Sequence, residues 1–518
     1  MNRWYAKLIA IVLGLALAIS WSSCRKDFDY APSSGNLEFS KDTVFLDTIF
    51  TNIGSSTYTL KVYNRSNDDI LIPFIGLESG QNSSYRLNVD GLAGKEFNDV
   101  PLLAKDSLFV FIETTFDVAQ TFENEFLYTD DILFGNGANT QEVPLVTLVK
   151  DAVFLYPGEL PDGAKETIVL GMDEEGNEIR IEGFLLEPDE LLFTNEKPYV
   201  IYGYAAVPDG NVLSIEAGAR VHFHKNSGLL VNSGASMQVN GLLSEDQELL
   251  ENEVVFEGDR LESSYASEPG QWGTIWLREG SINNSISYLT LKNATVGLRV
   301  DGDNVLATPT LSLRNSQVYN SLDSNLWATK ANIVAENTVL GGAGNVSFHG
   351  NSGGKYSFTH CTLANYWNNG FRSGVTLALD NFMQSAAGET IPRDLENADF
   401  INCIIDGTQS IELSLQQDTN AAFNFSFKNC LLRFNDSNNQ FTDNPLYNFE
   451  DVGLYQNIIF NQDADFTAPF ENQFQIGMNS AALDIADPNV IPPIPTDILG
   501  IDRTQNPDLG AYENVVNN

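Results

Sequence analysis

One short phrase recurs between Leu289 and Leu432: apolar, any, apolar, any, Asn, small, any, aliphatic. It reads Leu289-Thr-Leu291-Lys-Asn293-Ala294-Thr-Val296, then Leu311-Ser-Leu313-Arg-Asn315-Ser316-Gln-Val318, then Ile333-Val-Ala335-Glu-Asn337-Thr338-Val-Leu340. It returns as Tyr356-Ser-Phe358-Thr-His360-Cys361-Thr-Leu363, more loosely as Leu377-Ala-Leu379-Asp-Asn381, and around Asn402-Cys403 and Asn429-Cys430. Successive Asn/His positions lie 22, 22, 23, 21, 21 and 27 residues apart. A period of this length means stacked units that cannot bury an apolar face alone.

Alternating apolar positions within each unit specify strands, and the period fits one coil of a right-handed parallel β-helix, each strand lying on its counterpart in the next coil. Leu289, Leu291 and their equivalents then face the lumen, each stabilising by roughly 1.5–3 kcal/mol against the entropy of ordering the backbone. Asn293, Asn315, Asn337, His360, Asn381, Asn402 and Asn429 are predicted to form a ladder at a bend. Asn tolerates the tight turn and its amide can bond to the residue above and below. His360 is read as a ladder member. Leucine-rich repeats share the period and an Asn, but their leucines are denser and each repeat adds a helix or 3₁₀ segment.

The chain has 518 residues, so at least two domains are expected. Lys+Arg number 28 against 69 Asp+Glu, a formal net charge of -41, which opposes nucleic acid and anionic membrane surfaces. A hydrophobic content of 43% is enough for packed cores, so the acidity reads as a solvated surface and not as disorder. Few helix-forming runs leave an all-β chain.

Residues 1–24 have the pattern of a targeting segment. Arg3 and Lys7 precede an apolar run of 12 residues, Leu8 to Ile19, too short to span a bilayer, and Ser22 and Ser23 lead to Cys24. This resembles a bacterial lipoprotein signal, with Trp21 standing where an aliphatic residue is usual. The resemblance implies cleavage before Cys24, its lipidation and an outer-membrane anchor. Arg25-Lys26-Asp27-Phe28-Asp29 resembles the tag that Bacteroidetes-type lipoproteins carry for display on the cell exterior.

Over 35–150, short alternating runs at Thr43, Thr57, Ile70, Tyr85, Ser107 and Glu125 are separated by turn signals such as Asp90-Gly91. They predict an immunoglobulin-like β-sandwich. The phrases Thr59-Leu-Lys-Val-Tyr-Asn-Arg-Ser-Asn67 and Ala104-Lys-Asp-Ser-Leu-Phe-Val110 resemble spacer domains of bacterial surface proteins. Residues 151–198, rich in Pro, Gly and acid, are expected as a connector with a small strand pair, capping the helix. The β-helix is predicted over 199–513. Its opening coils, from Tyr199-Val-Ile-Tyr-Gly203 and Leu213-Ser-Ile-Glu-Ala-Gly218 to Met237-Gln-Val-Asn-Gly241, with the phrase Pro269-Gly-Gln-Trp-Gly-Thr-Ile-Trp276 and the end, Ser480-Ala-Ala-Leu-Asp484, Leu499-Gly500 and Pro507-Asp-Leu-Gly-Ala-Tyr-Glu513, resemble surface proteins of the pectate-lyase-like superfamily with a choice-of-anchor terminus. That resemblance implies architecture and not an activity.

Enzymes of that superfamily direct the search for chemistry. Pectate lyases use an Arg or Lys base beside calcium-binding carboxylates; polygalacturonases use clustered Asp with Gly-His-Gly and Arg-x-Lys. Neither set appears, and Phe348-His349-Gly350 is the nearest approach. Asp301 and Asp303 are candidate calcium ligands in an acidic turn. Calcium is the one ion considered, and no other cofactor is expected. His222 and His224 face the same side but lack a nearby third metal ligand. Cys361, Cys403 and Cys430 occupy the small position after the ladder residue and read as buried packing.

A candidate sugar surface is Tyr366, Trp367, Asn368, Asn369, Phe371 and Arg372, because flat rings beside amides suit a neutral sugar. Packing of the rings under a turn is the competing reading. The first expectation is therefore a monomeric, lipid-anchored glycan-binding or adhesion module without catalysis. The alternative is a polysaccharide-degrading enzyme with an unrecognised carboxylate site, and a purely structural surface protein is the third.

Overall fold

The computed structural model describes residues 30–117, 125–173, 175–303, 307–385 and 388–515, together with Trp4. The predicted signal and Cys24 lie outside the described residues. The chain divides at Lys150/Asp151 into two compact units. In the first, an immunoglobulin-like sandwich, all six runs expected as strands are strands: Val44–Phe50, Tyr58–Tyr63, Ile70–Leu77, Tyr85–Val89, Ser107–Thr114 and Glu125–Phe134. Glu96–Leu102 and Gln141–Lys150 are strands that the pattern did not reveal. Two sheets, largely antiparallel, enclose Leu60, Val62, Ile72, Tyr85, Val110 and Leu145. The Tyr85 hydroxyl donates to the Tyr128 carbonyl at 3.0 Å and accepts from the Thr147 hydroxyl at 2.9 Å, which satisfies it inside that core.

The second unit is a parallel β-helix with three faces. One coil runs Asn332–Glu336 on face one, Val339–Ala343 on face two and Val346–Asn351 on face three. Each strand pairs in parallel with its equivalent one coil on, as Leu311↔Ile333 and Ile333↔Tyr356 do on face one, and Leu326↔Phe348 and Phe348↔Leu377 on face three. Three strands of four to seven residues and three corners account for the 22-residue period. The parallel pairing begins earlier than predicted, because Val153–Leu155 pairs with Tyr199–Ile201. The segment expected as a connector over 151–198 thus supplies strands of the opening coil, and its hairpin Thr167–Met172/Glu178–Leu185 leads into face three.

The lumen is filled one layer per coil. Leu289, Leu291, Leu311, Leu313, Ile333 and Ala335 are fully buried, followed by aromatic side chains as the coils progress. Phe358 stacks on Phe400 (5.1 Å), Phe400 on Phe427 (5.0 Å) and Phe427 on Tyr455 (5.6 Å), so parallel register places like on like. Cys361, Cys403 and Cys430 are buried free thiols, each donating to backbone carbonyls.

The Asn ladder is real, but two of its predicted members belong elsewhere. At the corner between faces one and two, Asn315 (φ 47°), Asn337 (48°), His360 (51°), Asn402 (57°) and Asn429 (47°) all have left-handed backbone, which Asn adopts at low cost. Asn337 Nδ2 donates to Asn315 Oδ1, Asn402 Nδ2 to His360 Nε2 and Asn457 Nδ2 to Asn429 Oδ1, each at 2.9 Å. Asn293 is a correction. Lys292 pairs with Tyr319, so Asn293 sits at the next corner and bonds to Asn320 at 2.6 Å, while Tyr288 holds the ladder position in that coil. Asn381 is a second correction: Leu377–Asp380 is a face-three strand, and Asn381 binds the 418–422 loop after it. The phrase repeats on different faces because any buried strand alternates and any tight corner favours Asn.

Candidate functional site

Face three has alternate side chains pointing outward, and parallel pairing stacks them into columns. Trp276↔Arg299↔Trp327↔His349↔Ala378↔Ser414 form one column, and Asp301↔Thr329↔Asn351 continue in register beside it. From Arg299 onward these residues line a cavity of about 860 Å³, walled by Asn345, Ser373–Val375 and the strand Phe382–Gln384, which pairs with Thr390–Pro392; Trp276 stands just beyond its end, bonded to Asp301. The cavity shares Glu279 with a depression at Asp209 and Asn232, and Phe382 and Gln416 with one at Thr419 and Asn444. The result is a furrow running along the stacked coils.

Its charged groups are paired with one another. Trp276 Nε1 donates to Asp301 Oδ2 at 2.7 Å, Arg299 lies 3.2 Å from the same carboxylate, and the guanidinium covers the Trp276 ring at 4.0 Å. His349 Nε2 is 2.8 Å from Asp380 Oδ2, and the amide N–H of Ser352 donates to Asp380 Oδ1 at 2.7 Å. Trp327 meets His349 edge-on at 4.6 Å. Lys330 and Glu279 are 3.5 Å apart. Partly buried Trp276 and Trp327, with Asn345 and Asn351, combine rings and amides over a floor in which each basic side chain lies against a carboxylate.

The loop wall is held from below. Arg372 Nη2 donates to Glu412 Oε1 at 2.5 Å, and that carboxylate also accepts from the amides of Thr376 and Gln409 at 2.9 and 2.7 Å. Both side chains are buried, and burial holds the Glu412 carboxyl above the ordinary range despite the Arg372 guanidinium.

The candidate sugar cluster is divided by this packing. Tyr366 is edge-on to Phe466 and Phe470 and donates to Asp406 at 2.9 Å, while Trp367 is buried. Asn368 donates to the Phe470 carbonyl and Asn369 to Asn320, and Arg372 is the buried clamp. Of the three rings Phe371 alone is exposed, at 91%, beside the exposed Asn368 and Asn369. Two of the three rings therefore pack inward: the closing segment after Asp463 supplies Phe466, Phe470 and Phe474 around Tyr366, and Trp367 is buried. Asp301, a candidate calcium ligand, is engaged by Arg299 and Trp276. Asp303 is exposed, and no group of three or more His, Cys, Asp or Glu among the described residues is placed to hold a metal.

Sequence reasoning passed over Trp276, Arg299, Trp327, Asn351 and Asp380 as site residues. The available signal was the third strand of each repeat: Trp276, Arg299, Trp327 and His349 alternate with the lumen positions Leu277, Leu298, Leu326 and Phe348. It was obscured by corner insertions, which stretch the spacing from Arg299 to Trp327.

No protein-family profile matches the chain. No curated protein matches it either. Among solved structures, a PapD-like domain of human CEP192 aligns at 11% identity over 23% of this chain and 86% of its own, with a TM-score of 0.15. The periplasmic chaperone SfaE aligns at 12% identity over 22% of this chain and 57% of its own, also with a TM-score of 0.15. Likenesses of that size carry no argument about function.

Proposed function

We propose that the chain is a surface glycan-binding protein whose face-three furrow takes a neutral polysaccharide along the coil axis. The observation that carries this reading is the outward column Trp276, Arg299, Trp327 and His349, with its charges already paired. Such a floor offers ring faces and amides while leaving no unbalanced cation for a polyanion, which the overall charge of -41 also disfavours. The lipoprotein-like signal supports a Bacteroidetes-type outer-membrane anchor at Cys24, and the repeat and closing phrase support kinship with pectate-lyase-like surface proteins. Labelling with a fatty acid that persists in Cys24→Ser would refute the anchor.

One observation favours the enzyme reading: Asp301 and Asp380 both line the furrow, and glycosidases use paired carboxylates. Each is bonded to a cationic or imidazole partner, which favours a positioning role. Incubation with a panel of neutral and acidic polysaccharides separates the readings. Retention of a neutral polymer without fragments is expected, and Trp327→Ala should weaken it at least about tenfold. Released fragments would make the protein an enzyme, and retention unaffected by Trp327→Ala would remove the furrow as the site.

A further inference from the structure

A second cavity, sharing no lining residue with the furrow, lies at the corner between faces two and three in the first coils. We propose that it binds a single carboxylate-bearing sugar residue, independently of the polymer site. Its centre is a column built by three successive coils. Ile201 pairs with Phe223 and Phe223 with Gly258, so the residues that follow, Tyr202, His224 and Asp259, stack at the corner. The Tyr202 ring lies on the His224 imidazole at 4.5 Å and 29°. His224 Nδ1 is 2.7 Å from Asp259 Oδ2, and Asp259 is 7% exposed. A carboxylate accepts, so Nδ1 carries the proton and Nε2 remains for a ligand hydroxyl.

The cavity, about 840 Å³, is also lined by Lys165, Glu182, Lys225 and Thr274, with Ile181 and Val296 as apolar surface. Lys165 and Glu182 face each other at 3.6 Å, but both side chains are more than half exposed, so an incoming carboxylate can compete for that ammonium. Lys225 enters no ion pair among the described residues. The contrast with the furrow is chemical. There the cations are matched; here, in a chain of net charge -41, an ammonium is left over beside an oriented imidazole and a ring face. Lys165, just before the hairpin, and Ile181 and Glu182 within it wall one side, which suits one residue better than a chain. A carboxylate at Lys225, with Lys165 drawn from its exposed pair with Glu182 and a hydroxyl on His224 Nε2, engages the unpaired ammonium and the ring nitrogen that Asp259 leaves open.

Calorimetric titration of the full chain with D-galacturonic acid and with D-galactose tests this. Saturable binding of the acid is expected, at least about tenfold tighter than that of the neutral sugar. Lys225→Met, an exposed position that leaves the fold intact by circular dichroism, should weaken it at least about fivefold, and Trp327→Ala should leave it unchanged. Equal binding of both sugars, no loss in Lys225→Met, or no saturable binding of the acid would overturn the proposal. Loss in Trp327→Ala would move the acid to the furrow and overturn it equally, whereas polymer retention lost alone in that variant leaves this site standing.

Discussion

The corner between faces one and two and the outer surface of face three are both columns of polar side chains stacked by the same coils, yet they end differently. At the corner, amides bond along the column, and the closing segment seals them. Asn337 Nδ2 also donates to the Thr496 carbonyl, Asn402 Nδ2 to the Asp487 carbonyl, and Arg503 Nη1 reaches Asn337 Oδ1 at 3.3 Å. On face three the partners lie beside one another and the rings stay partly exposed. A polar column that is bonded and covered holds a fold together, and one that is bonded but open can meet a ligand.

The most damaging test of that contrast is Arg503→Ala. Arg503 is fully buried, 3.1 Å from Glu513, with Asp497 and Asp508 as further carboxylates acting on it. Its loss leaves buried acids without a counter-charge, and denaturant unfolding should fall by about 3–5 kcal/mol. A loss below about 1 kcal/mol would mean that the corner is not sealed as described.

The pH dependence of stability sharpens the same point. Burial pushes the Glu513 carboxyl up to about 7, opposed by Arg503. Between its unfolded value and 7 the folded state binds more protons than the unfolded one, so this group's contribution is present at low pH and lost as pH rises through about 7. The slope is at most about 1.4 kcal/mol per pH unit. Denaturation midpoints of Glu513→Gln, compared with the parent across pH 4.5–8, should show that fall removed. His360 acts in the opposite direction. Burial, with Arg503 nearby, holds its imidazole well below the usual range, so stability is lost as pH drops below about 6.5.

The smallest expected effect is Phe371→Ser. Exposed at 91%, this ring should change stability by less than about 0.5 kcal/mol and leave glycan retention as it was. A clear loss of retention would return attention to the 366–372 turn and away from the furrow.

The repeat made the β-helix legible because parallel stacking demands the same solution in every coil: alternation for the lumen, and a residue that accepts left-handed backbone at the bend. Six strands of the sandwich were legible for the same local reason, while Glu96–Leu102, with Pro101 and two acids, was masked by its composition. Local pattern could not tell one corner from the next, which is why Asn293 and Asn381 were assigned to a ladder they do not join.

By itself, the sequence determined the class of fold, the period, the buried thiols and the acidic surface, because these follow from alternation and composition along the chain. Only the tertiary structure decided which polar residues serve a site. Trp276, Arg299, Trp327 and His349 are far apart in sequence and become one surface only when coils stack. Tyr366, which looks like part of a sugar platform in the chain, is covered by aromatic residues about a hundred positions later, and Trp367 beside it is buried. Burial by distant segments is a property of the folded chain, and no local pattern carries it.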